Sequence, residues 1–511
     1  MTQKLSGEEW RKVNWIWFWS GNWPLFDEQP FFTRRYQNEW KKAIGYAPQV
    51  FVGFYKKGTV YAYLCQKDQD ILEKTMVSLF HKRPSFILET LKPYEQNTKR
   101  DLLAIKRIIK KDYKSISDFS LASLFLEARS HLEYNSFMDH YDYYLERYLG
   151  PIIESYVKRK IKNQSVDKIS SLTSLLITPH RKTPIFKERN AFLKIIQLLK
   201  KDTIFKKEAK IEGIKILKDY PKYEVLIDRH QKKYGYLTEV VNAESISKKD
   251  LWQDIQKFVI QNEPFRIQAK RMGDDYNEAT INKAKVAIKK LKPDYKTGLL
   301  IKGIRRAVYL RIIDNAFQGY TTHLLKLLYL EIANRLGITY QEFKFLLDQE
   351  IVDHLRNNKK ISKAKIKQRL QFCSYTYYYG EVKTSVGQKV KQQIRIVEQG
   401  KSEHKQTSFK GKAACLGKIK GSVIVAFAPK DAKNIKKGQI LVTQAPSAYF
   451  VPVLRKASGI ITEYGGLTNH AVIVSREKNT PCIVGIEGIT KHLQNGDLVE
   501  VDADKGIVTK L

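Results

Sequence analysis

The spacing of apolar residues changes along this chain from a helical period to a strand period. Between about residues 69 and 369, apolar residues recur three and four positions apart, as in 118–148 and 324–336, which indicates helices. Beyond a polar stretch at 400–408, short β-branched runs bounded by glycine indicate strands. A chain of 511 residues is long enough for several cores. The pattern therefore predicts a multidomain α+β protein, in which a large, mostly α-helical N-terminal body precedes a smaller domain of mixed sheet and helix.

Residues 67–370 are predicted to form the helical body. Prolines interrupt the helical pattern at helix-length intervals, which is typical of a bundle of roughly eight to twelve helices. No sequence repeat of about 30 to 45 residues is visible, and this argues against a solenoid. We expect one helical domain or two that pack closely.

Residues 1–66 are rich in aromatic side chains. Six of the seven tryptophans lie within the first 40 residues. We interpret them as a packed core, because a base-stacking surface needs basic residues interleaved with the rings, and here the basic residues only flank them. Val50–Tyr55 and Thr59–Leu64 are β-branched and aromatic runs joined by a Lys-Lys-Gly turn. They predict a β-hairpin that closes this N-terminal piece.

A change of composition makes residues 371–407 the predicted linker. Aromatic residues at 372–379 give way to a Lys- and Gln-rich stretch, and 400–408 has almost no apolar side chain. Polar segments of this kind are typical of flexible connections. We expect a hinge here, followed by a domain at 408–511.

The domain at 408–511 is predicted to combine strands with two helices. The helices are placed at Ser447–Ala457 and Thr468–Glu477. The strands are placed at 417–426, 439–443, 459–462, 482–484, 498–501 and 506–510. A compact domain of mixed sheet and helix follows from this order.

His470 lies close to the predicted start of the second of these helices. Gly465 and Gly466 form a turn before it, and the hydroxyl of Thr468 is placed to cap the helix. In the first turn of a helix the backbone N–H groups are free, and the helix dipole favours an anion. His470 is therefore the candidate site for a phosphoryl group on an imidazole. The other nine histidines have no such surroundings.

Periodicity alone does not settle whether this segment is a helix. Val472–Val474 would suit a strand equally well. The glycine turn before it, and Asn479 with Pro481 beyond it, favour a buried helix that stops at Asn479.

The region around His470 resembles the mobile, phosphohistidine-bearing domain of the phosphoenolpyruvate-utilising enzymes, which include phosphoenolpyruvate synthase, pyruvate phosphate dikinase and rifampicin phosphotransferase. The resemblance covers residues 408–511 and implies a swivelling β/β/α domain in which His470 is phosphorylated, with Gly465, Gly466, Thr468 and Asn469 beside the phosphate. Asn469 departs from the family, where serine, threonine or cysteine is common. The matching positions are Gly465, Gly466, His470, Ala471, Ile473, Val474, Arg476, Glu477, Pro481, Val484, Gly485, Gly496, Asp497, Val499, Val501, Asp502, Gly506 and Val508.

Two upstream segments also look like the family, although fewer positions match. Residues 328–337 and 343–351 resemble the helical segment that precedes the mobile domain in several members. A looser match to an earlier family element lies around Tyr234-Gly235, within residues 229–239. Together these segments extend the resemblance over roughly residues 220–511 and leave the first 200 residues diverged or unique.

The family members bind ATP through an ATP-grasp domain, and no such domain is recognisable in this sequence. Residues 1–404 contain no glycine-rich phosphate loop, no Walker pattern is present, and the given sequence stops directly after the resembling domain. We therefore expect ATP or phosphoenolpyruvate, with Mg²⁺, to bind at a partner site, most simply on an ATP-grasp protein, while this chain binds no cofactor or metal of its own. The final phosphoryl acceptor is left open.

Three functions are compatible with these features. The leading hypothesis is a phosphotransferase component that carries a phosphoryl group on His470. The second is a non-catalytic scaffold or regulatory module that retains the domain, and the third is a basic nucleic-acid-binding protein. A neighbouring gene for a free-standing ATP-grasp protein would favour the first, and steeply salt-dependent binding to DNA or RNA would favour the third.

Composition bears on partners and on the cellular compartment. The net charge of +38 comes from 91 Lys and Arg against 53 Asp and Glu, and such a charge attracts anionic partners. Because lysine is spread along most helices, general lysine enrichment explains it better than one binding patch. The four cysteines are far apart, and the sequence has neither a secretory signal nor an apolar run of the roughly 20 residues that span a bilayer. We expect a cytoplasmic protein without membrane contact.

Overall fold

The computed structural model describes most of the chain, with gaps at several loops. Of His470 it describes the backbone. The described residues are 10, 12–21, 34–56, 59–133, 136–162, 164, 166–211, 213–238, 246–260, 278–399, 407–427, 429–444, 446, 450–463, 470–486 and 488–511.

Helices dominate the first 400 residues. Fourteen of them lie between Gln66 and Gln371 in the described ranges, more than predicted, because short helices such as Tyr340–Phe343 have no periodicity of their own to detect. Their bounds are α1 Arg34–Ile44, α2 Gln66–Lys82, α3 Phe86–Ile108, α4 Asp118–Glu133, α5 Ser136–Lys160, α6 Val166–Leu176, α7 Pro184–Lys201, α8 Thr203–Glu208, α9 Pro221–Tyr234, α10 Lys248–Ile260, α11 Glu278–Leu291, α12 Tyr295–Arg335, α13 Tyr340–Phe343, α14 Asp348–Asn357, α15 Lys363–Gln371 and α16 Gln388–Gln399.

An antiparallel sheet of five strands joins the N-terminal region to residues after 371. Its order is β1-β3-β2-β4-β5. The predicted hairpin is present, since Phe51 pairs with Leu64 and Lys56 with Thr59. The strands are β1 Trp15–Gly21, β2 Val50–Lys56, β3 Thr59–Cys65, β4 Phe372–Tyr378 and β5 Glu381–Val386.

The prediction of a linker over residues 371–399 was wrong. β4 lies inside the sheet between β2 and β5, with Tyr375 opposite Gly53. Helix α16 packs Val390 and Val397 against the sheet. Composition did not reveal this pairing, because β2 and β4 are more than 300 residues apart in the sequence and the exposed face of α16 is rich in Lys and Gln. The remainder of the predicted hinge, 400–406, lies outside the described residues.

The N-terminal piece and the helical body are not separate units, contrary to the predicted boundary at residue 66. Trp40, Phe51 and Leu64 lie in the same hydrophobic core as Phe86 and Leu300. On the other face of the sheet, tryptophans 10 and 15 are buried together with α16. The side chains of Trp10, Trp15 and Trp40 therefore pack inside the protein, as the sequence predicted. Those of Trp17, Trp19 and Trp23 lie outside the part that the structure describes.

Helix α12 organises the body. It is 41 residues long and buried around most of its circumference, as expected for a helix that is apolar on all sides. It packs against α3 and α5. Helices α7 to α10 enclose a second core around Phe205 and Trp252.

The C-terminal region folds around a sheet of eight strands in the order β6-β13-β12-β8-β9-β10-β11-β7. Strands β8 to β11 are parallel to one another, and all other neighbours are antiparallel. Of the helix predicted at Ser447–Ala457, the structure describes residues 450–457, and Val451–Leu454 are helical; residues 447–449 lie outside the described residues. The elements are β6 Ser408–Lys410, β7 Lys412–Cys415, β8 Lys418–Ala426, β9 Ile440–Thr443, α17 Val451–Leu454, β10 Gly459–Thr462, α18 His470–Lys478, β11 Cys482–Val484, α19 Ile489–His492, β12 Leu498–Asp502 and β13 Ile507–Lys510.

Both faces of the parallel strands are covered, which gives the domain three layers. Leu441 on β9 packs with Leu454 and Val472 of the helices in one core. Its neighbour Val442 faces the opposite way and packs with Val501 of β12. Helices, parallel strands and antiparallel strands thus form the predicted β/β/α arrangement.

The C-terminal domain contacts the helical body. Strand β7, at one end of its sheet, packs against helix α6. The ring of Phe427 meets the ring of Tyr61 edge-on, with 6.2 Å between centroids. None of the described helices combines the length and the apolar character that crossing a membrane demands.

We predict that Gly421→Ala destabilises the C-terminal domain. A Cβ at Gly421 would lie 2.2 Å from the carbonyl oxygen of Gly438, and backbone cannot move aside cheaply. The expected loss is about 1–3 kcal/mol in the free energy of unfolding, measured by denaturant titration of the full chain. Lys420→Ala is the control, because it removes only an exposed ion pair with Glu500, worth less than about 1 kcal/mol. Equal stability of the two variants would contradict the prediction.

Candidate functional site

His470 is the first residue of helix α18, which follows strand β10. β10 lies between β9 and β11, and all three strands are parallel. The carboxyl ends of parallel strands share one edge of a sheet, and ligands bind in the crevices outside that edge. The structure therefore places His470 on the side of the domain where such a fold offers a site. The other predicted site residues, Gly465, Gly466, Thr468 and Asn469, lie outside the described residues.

Helix α18 is held firmly beneath His470. Ala471, Val472, Val474 and Ser475 are all buried. The hydroxyl of Ser475 donates to the carbonyl oxygen of Val472 at 2.9 Å. Because a well-packed helix does not shift, the free N–H groups of its first turn have a fixed direction.

The end of α18 agrees with the sequence prediction. Asn479 adopts a left-handed conformation with φ +52°, which is common directly after a helix. The N–H of Thr480 then donates to the carbonyl oxygen of Ser475 at 2.8 Å. Asn479 and Pro481 thus follow the helix, as predicted.

Three buried polar side chains lie at the carboxyl ends of β9 and β10. They are Gln444, Thr462 and Glu463. Gln444 Oε1, Thr462 Oγ1 and Glu463 Oε1 have no hydrogen-bond partner among the described residues. Buried polar atoms without partners are rare in proteins and mark places where a ligand, water or another segment completes the bonding.

Glu463 is fixed at this edge by its own bonds. Its N–H donates to the carbonyl oxygen of Thr443 at 2.9 Å, and its Oε2 accepts from the hydroxyl and from the N–H of Thr490. Its second oxygen, Oε1, is left over. Sequence analysis did not single out Glu463 or Thr462. Thr462 ends an apolar strand, and Glu463 follows it just before the two glycines 465 and 466, which was the available signal.

The described residues contain no group of three or more His, Cys, Asp or Glu side chains that could hold a metal ion. The four cysteines, all among the described residues, form no disulfide with one another, and all but Cys65 are buried.

Comparison with known proteins identifies the domain that carries His470. The family model described as "PEP-utilising enzyme, mobile domain" matches residues 435–506. The C-terminal region of this chain is a PEP-utilising mobile domain. The matched residues run from the turn before β9 to the turn before β13, and they include the whole of α18.

Curated relatives of this chain include phosphoenolpyruvate synthases. The chain is 31% identical over 204 residues to the phosphoenolpyruvate synthase of Pyrococcus furiosus, a match that covers 39% of this chain and 24% of that protein. It is 43% identical over 100 residues to a probable phosphoenolpyruvate synthase of Archaeoglobus fulgidus, covering 20% of this chain and 13% of the relative. The chain therefore corresponds to less than two thirds of these relatives.

Likeness to solved structures is slight. A solution structure of an Enzyme I protein aligns with 63% of this chain and 77% of its own, at 13% identity and a TM-score of 0.17. A score this low carries no structural argument. The sequence matches and the layers of the C-terminal domain are what place this region in the family.

Proposed function

We propose that this chain is a phosphotransferase component that carries a phosphoryl group on His470. The observation that carries the proposal is the position of His470, as the first residue of a buried helix at the carboxyl edge of β10, inside a region that matches the mobile domain. The mobile domains of PEP-utilising enzymes resemble this one in the residues around that histidine.

The proposed reaction has two steps. A ring nitrogen of neutral His470 attacks the phosphorus of a donor, an N–P bond forms, and the donor's P–O bond breaks with its electron pair leaving on oxygen. An acceptor then attacks the same phosphorus, the N–P bond breaks, and the imidazole is restored. The chain is unchanged at the end, as a carrier requires.

The start of α18 supplies electrostatic support for the transferred group. Free backbone N–H groups and the positive end of the helix dipole stabilise phosphoryl oxygens. We assign Gly465 and Gly466 to the close approach of the donor, and Thr468 and Asn469 to hydrogen bonds with the phosphate. The uncommitted oxygen of Glu463 is suited to accept from an amide of this loop or from the imidazole.

We place the phosphoryl donor on a partner. ATP or phosphoenolpyruvate, with Mg²⁺, would bind to a nucleotide-binding protein such as one of the ATP-grasp type, and the mobile domain, residues 408–511, would reach it through a hinge at 400–407. Four cysteines that form no disulfide with one another are in keeping with a reducing cytoplasm. The chemical identity of the acceptor is left unassigned.

The test is direct phosphoryl labelling. The full chain is incubated with Mg²⁺, cell extract and either ATP or phosphoenolpyruvate, and peptides are analysed by mass spectrometry before and after mild acid treatment. We expect one acid-labile phosphoryl adduct on the peptide that contains His470. An acid-stable adduct on another residue, or no adduct with either donor, would overturn the proposal.

A further inference from the structure

A second concentration of unusual polar groups lies in the helical body, away from the mobile domain's histidine. The segment that follows helix α6 crosses helix α12 near Arg305, Arg306 and Tyr309. The ring of His180 lies 5.0 Å from that of Tyr309, and the guanidinium of Arg181 is 5.9 Å from the same ring. Tyr309 lies four residues after Arg305 and three after Arg306, so it shares a helix face with each of them. His180 and Arg181, which contact Tyr309, therefore lie beside both arginines.

Arg305 is the most unusual of these residues. It is only 5% exposed, and its Nη1 has no hydrogen-bond acceptor among the described residues. Burial lowers the pKa of Arg305. An arginine nevertheless keeps its charge inside proteins, and an isolated buried charge is strongly unfavourable unless something pairs with it.

Arg306, next to Arg305 in the sequence, also has an unused donor. Arg306 pairs with Glu95, with 3.2 Å between Nη2 and the carboxylate, but its buried Nε has no acceptor among the described residues. The Nδ1 atom of His180 is buried and equally without a partner there. Two guanidinium donors, Nη1 of Arg305 and Nε of Arg306, are therefore uncommitted among the described residues.

The charge of this region is positive. Arg181, Arg305 and Arg306 contribute three positive charges, and Glu95 contributes the carboxylate that faces two of them, lying 4.0 Å from Arg181 and 3.2 Å from Arg306. Burial and the nearby Arg181 lower the pKa of His180, which keeps its imidazole neutral, and the one N–H of that ring donates to the backbone of Arg305. An anion with several oxygens would satisfy both the charge and the unused donors.

We propose that Arg305 and Arg306, with His180 and Arg181 beside them, form a binding site for a phosphate-type oxyanion, either inorganic phosphate or the phosphate group of a small monoester. Tetrahedral phosphate presents several acceptor oxygens, and the guanidinium fork binds two of them at once. The site is distinct from His470 and does not depend on phosphorylation of that residue.

Equilibrium dialysis with radiolabelled inorganic phosphate tests the site. The full chain and its His470→Ala variant should both bind one phosphate saturably, whereas Arg305→Met should bind at least tenfold more weakly. Arg107→Met, which removes one exposed positive charge from the same body, is the matched control and should bind like the wild type. Absence of saturable binding in the wild type, or equal binding by Arg305→Met, would overturn the site.

Thermal unfolding in anion-poor buffer tests whether the charge of Arg305 is unpaired, through the direction in which Arg305→Met shifts the unfolding midpoint. Without a bound anion the Arg305 charge is unpaired, so Arg305→Met should unfold at the same temperature as the wild type or higher. Added phosphate should raise the unfolding midpoint of the wild type more than that of Arg305→Met. A lower midpoint for Arg305→Met in anion-poor buffer would show that Arg305 is already paired within the chain, and would overturn the proposal.

Competition identifies the source of the oxyanion. A small phosphate monoester that displaces labelled phosphate more effectively than unlabelled phosphate does would assign the site to a phosphorylated metabolite, and weaker displacement would assign it to inorganic phosphate. Acetate at matched ionic strength should displace little. Displacement by acetate as effective as that by phosphate would overturn the assignment to phosphate.

Discussion

Replacement of His470 by glutamine is expected to reduce phosphoryl labelling of the chain by at least about a thousandfold, since loss of a nucleophile removes the covalent step altogether. Glutamine keeps a polar side chain of similar length but has no ring nitrogen that can attack phosphorus. The helix beneath residue 470 is buried through Ala471 and Val472, so the thermal unfolding midpoint should change little. Mass spectrometry of intact protein, with the donor and extract held constant, measures the labelled fraction.

His492→Gln is the matched control for this experiment. His492 ends helix α19 in the same domain, and its ring packs against Phe409 with 5.2 Å between centroids. Loss of a histidine here should leave labelling intact. Labelling of His470→Gln at the level of the wild type would exclude His470 as the carrier, and loss of labelling in both variants would point to a general effect on the domain.

The sequence predicted those parts of the fold whose signals are local. The hairpin of β2 and β3 depends on two adjacent β-branched runs, and the helices depend on a period within one segment. The insertion of β4 beside β2 depends on a pairing across the whole body, for which no local signal exists. Helix α16 did leave a signal, because Val390, Ile394 and Val397 recur at helical spacing, but the polar residues between them led to the interpretation as a linker.

Of the candidate site, too, the sequence predicted only the part that has a local signal. A glycine turn before a helix start is a local pattern, and it located His470 correctly at the start of α18. The cluster of Thr462, Glu463 and Gln444 can be recognised only in the structure, where parallel pairing brings the ends of β9 and β10 together. Arg305 was hidden for another reason: in a chain with 91 Lys and Arg, only burial distinguishes one arginine from the rest.

The second large effect is expected at the junction of the helical body with the N-terminal sheet. Arg369, at the end of α15, is fully buried, and its two terminal nitrogens donate to the carboxylate of Glu350 at 2.6 and 2.8 Å. One of these nitrogens also donates to the carbonyl oxygen of Phe345 at 2.9 Å. Because α15 leads directly into β4, this pair fixes the chain where the central strands of the sheet meet α14.

Glu350→Gln should cost about 3–5 kcal/mol in the free energy of unfolding, since it leaves the buried guanidinium of Arg369 without its counter-charge. Denaturant titration of the full chain measures the change. Glu381→Gln is the control, because Lys383, its partner at 2.6 Å, is half exposed, whereas Arg369 is buried. Ion pairs with a solvent-exposed cation contribute less than about 1 kcal/mol. A loss no larger than that of the control would show that Arg369 is stabilised without Glu350.

The same pair gives stability a specific dependence on pH. Burial alone would raise the pKa of Glu350, but the hydrogen bonds from Arg369 and from the Leu347 N–H outweigh it and lower the pKa from 4.5 to about 2. A carboxyl group whose pKa is lowered by folding stabilises the protein above its unfolded pKa, and this contribution disappears as pH falls through the folded value. The difference in stability between wild type and Glu350→Gln should therefore be constant above about pH 5 and shrink between pH 4.5 and 2. If that difference were unchanged down to pH 2, the charge on Glu350 would not be what holds Arg369 in place.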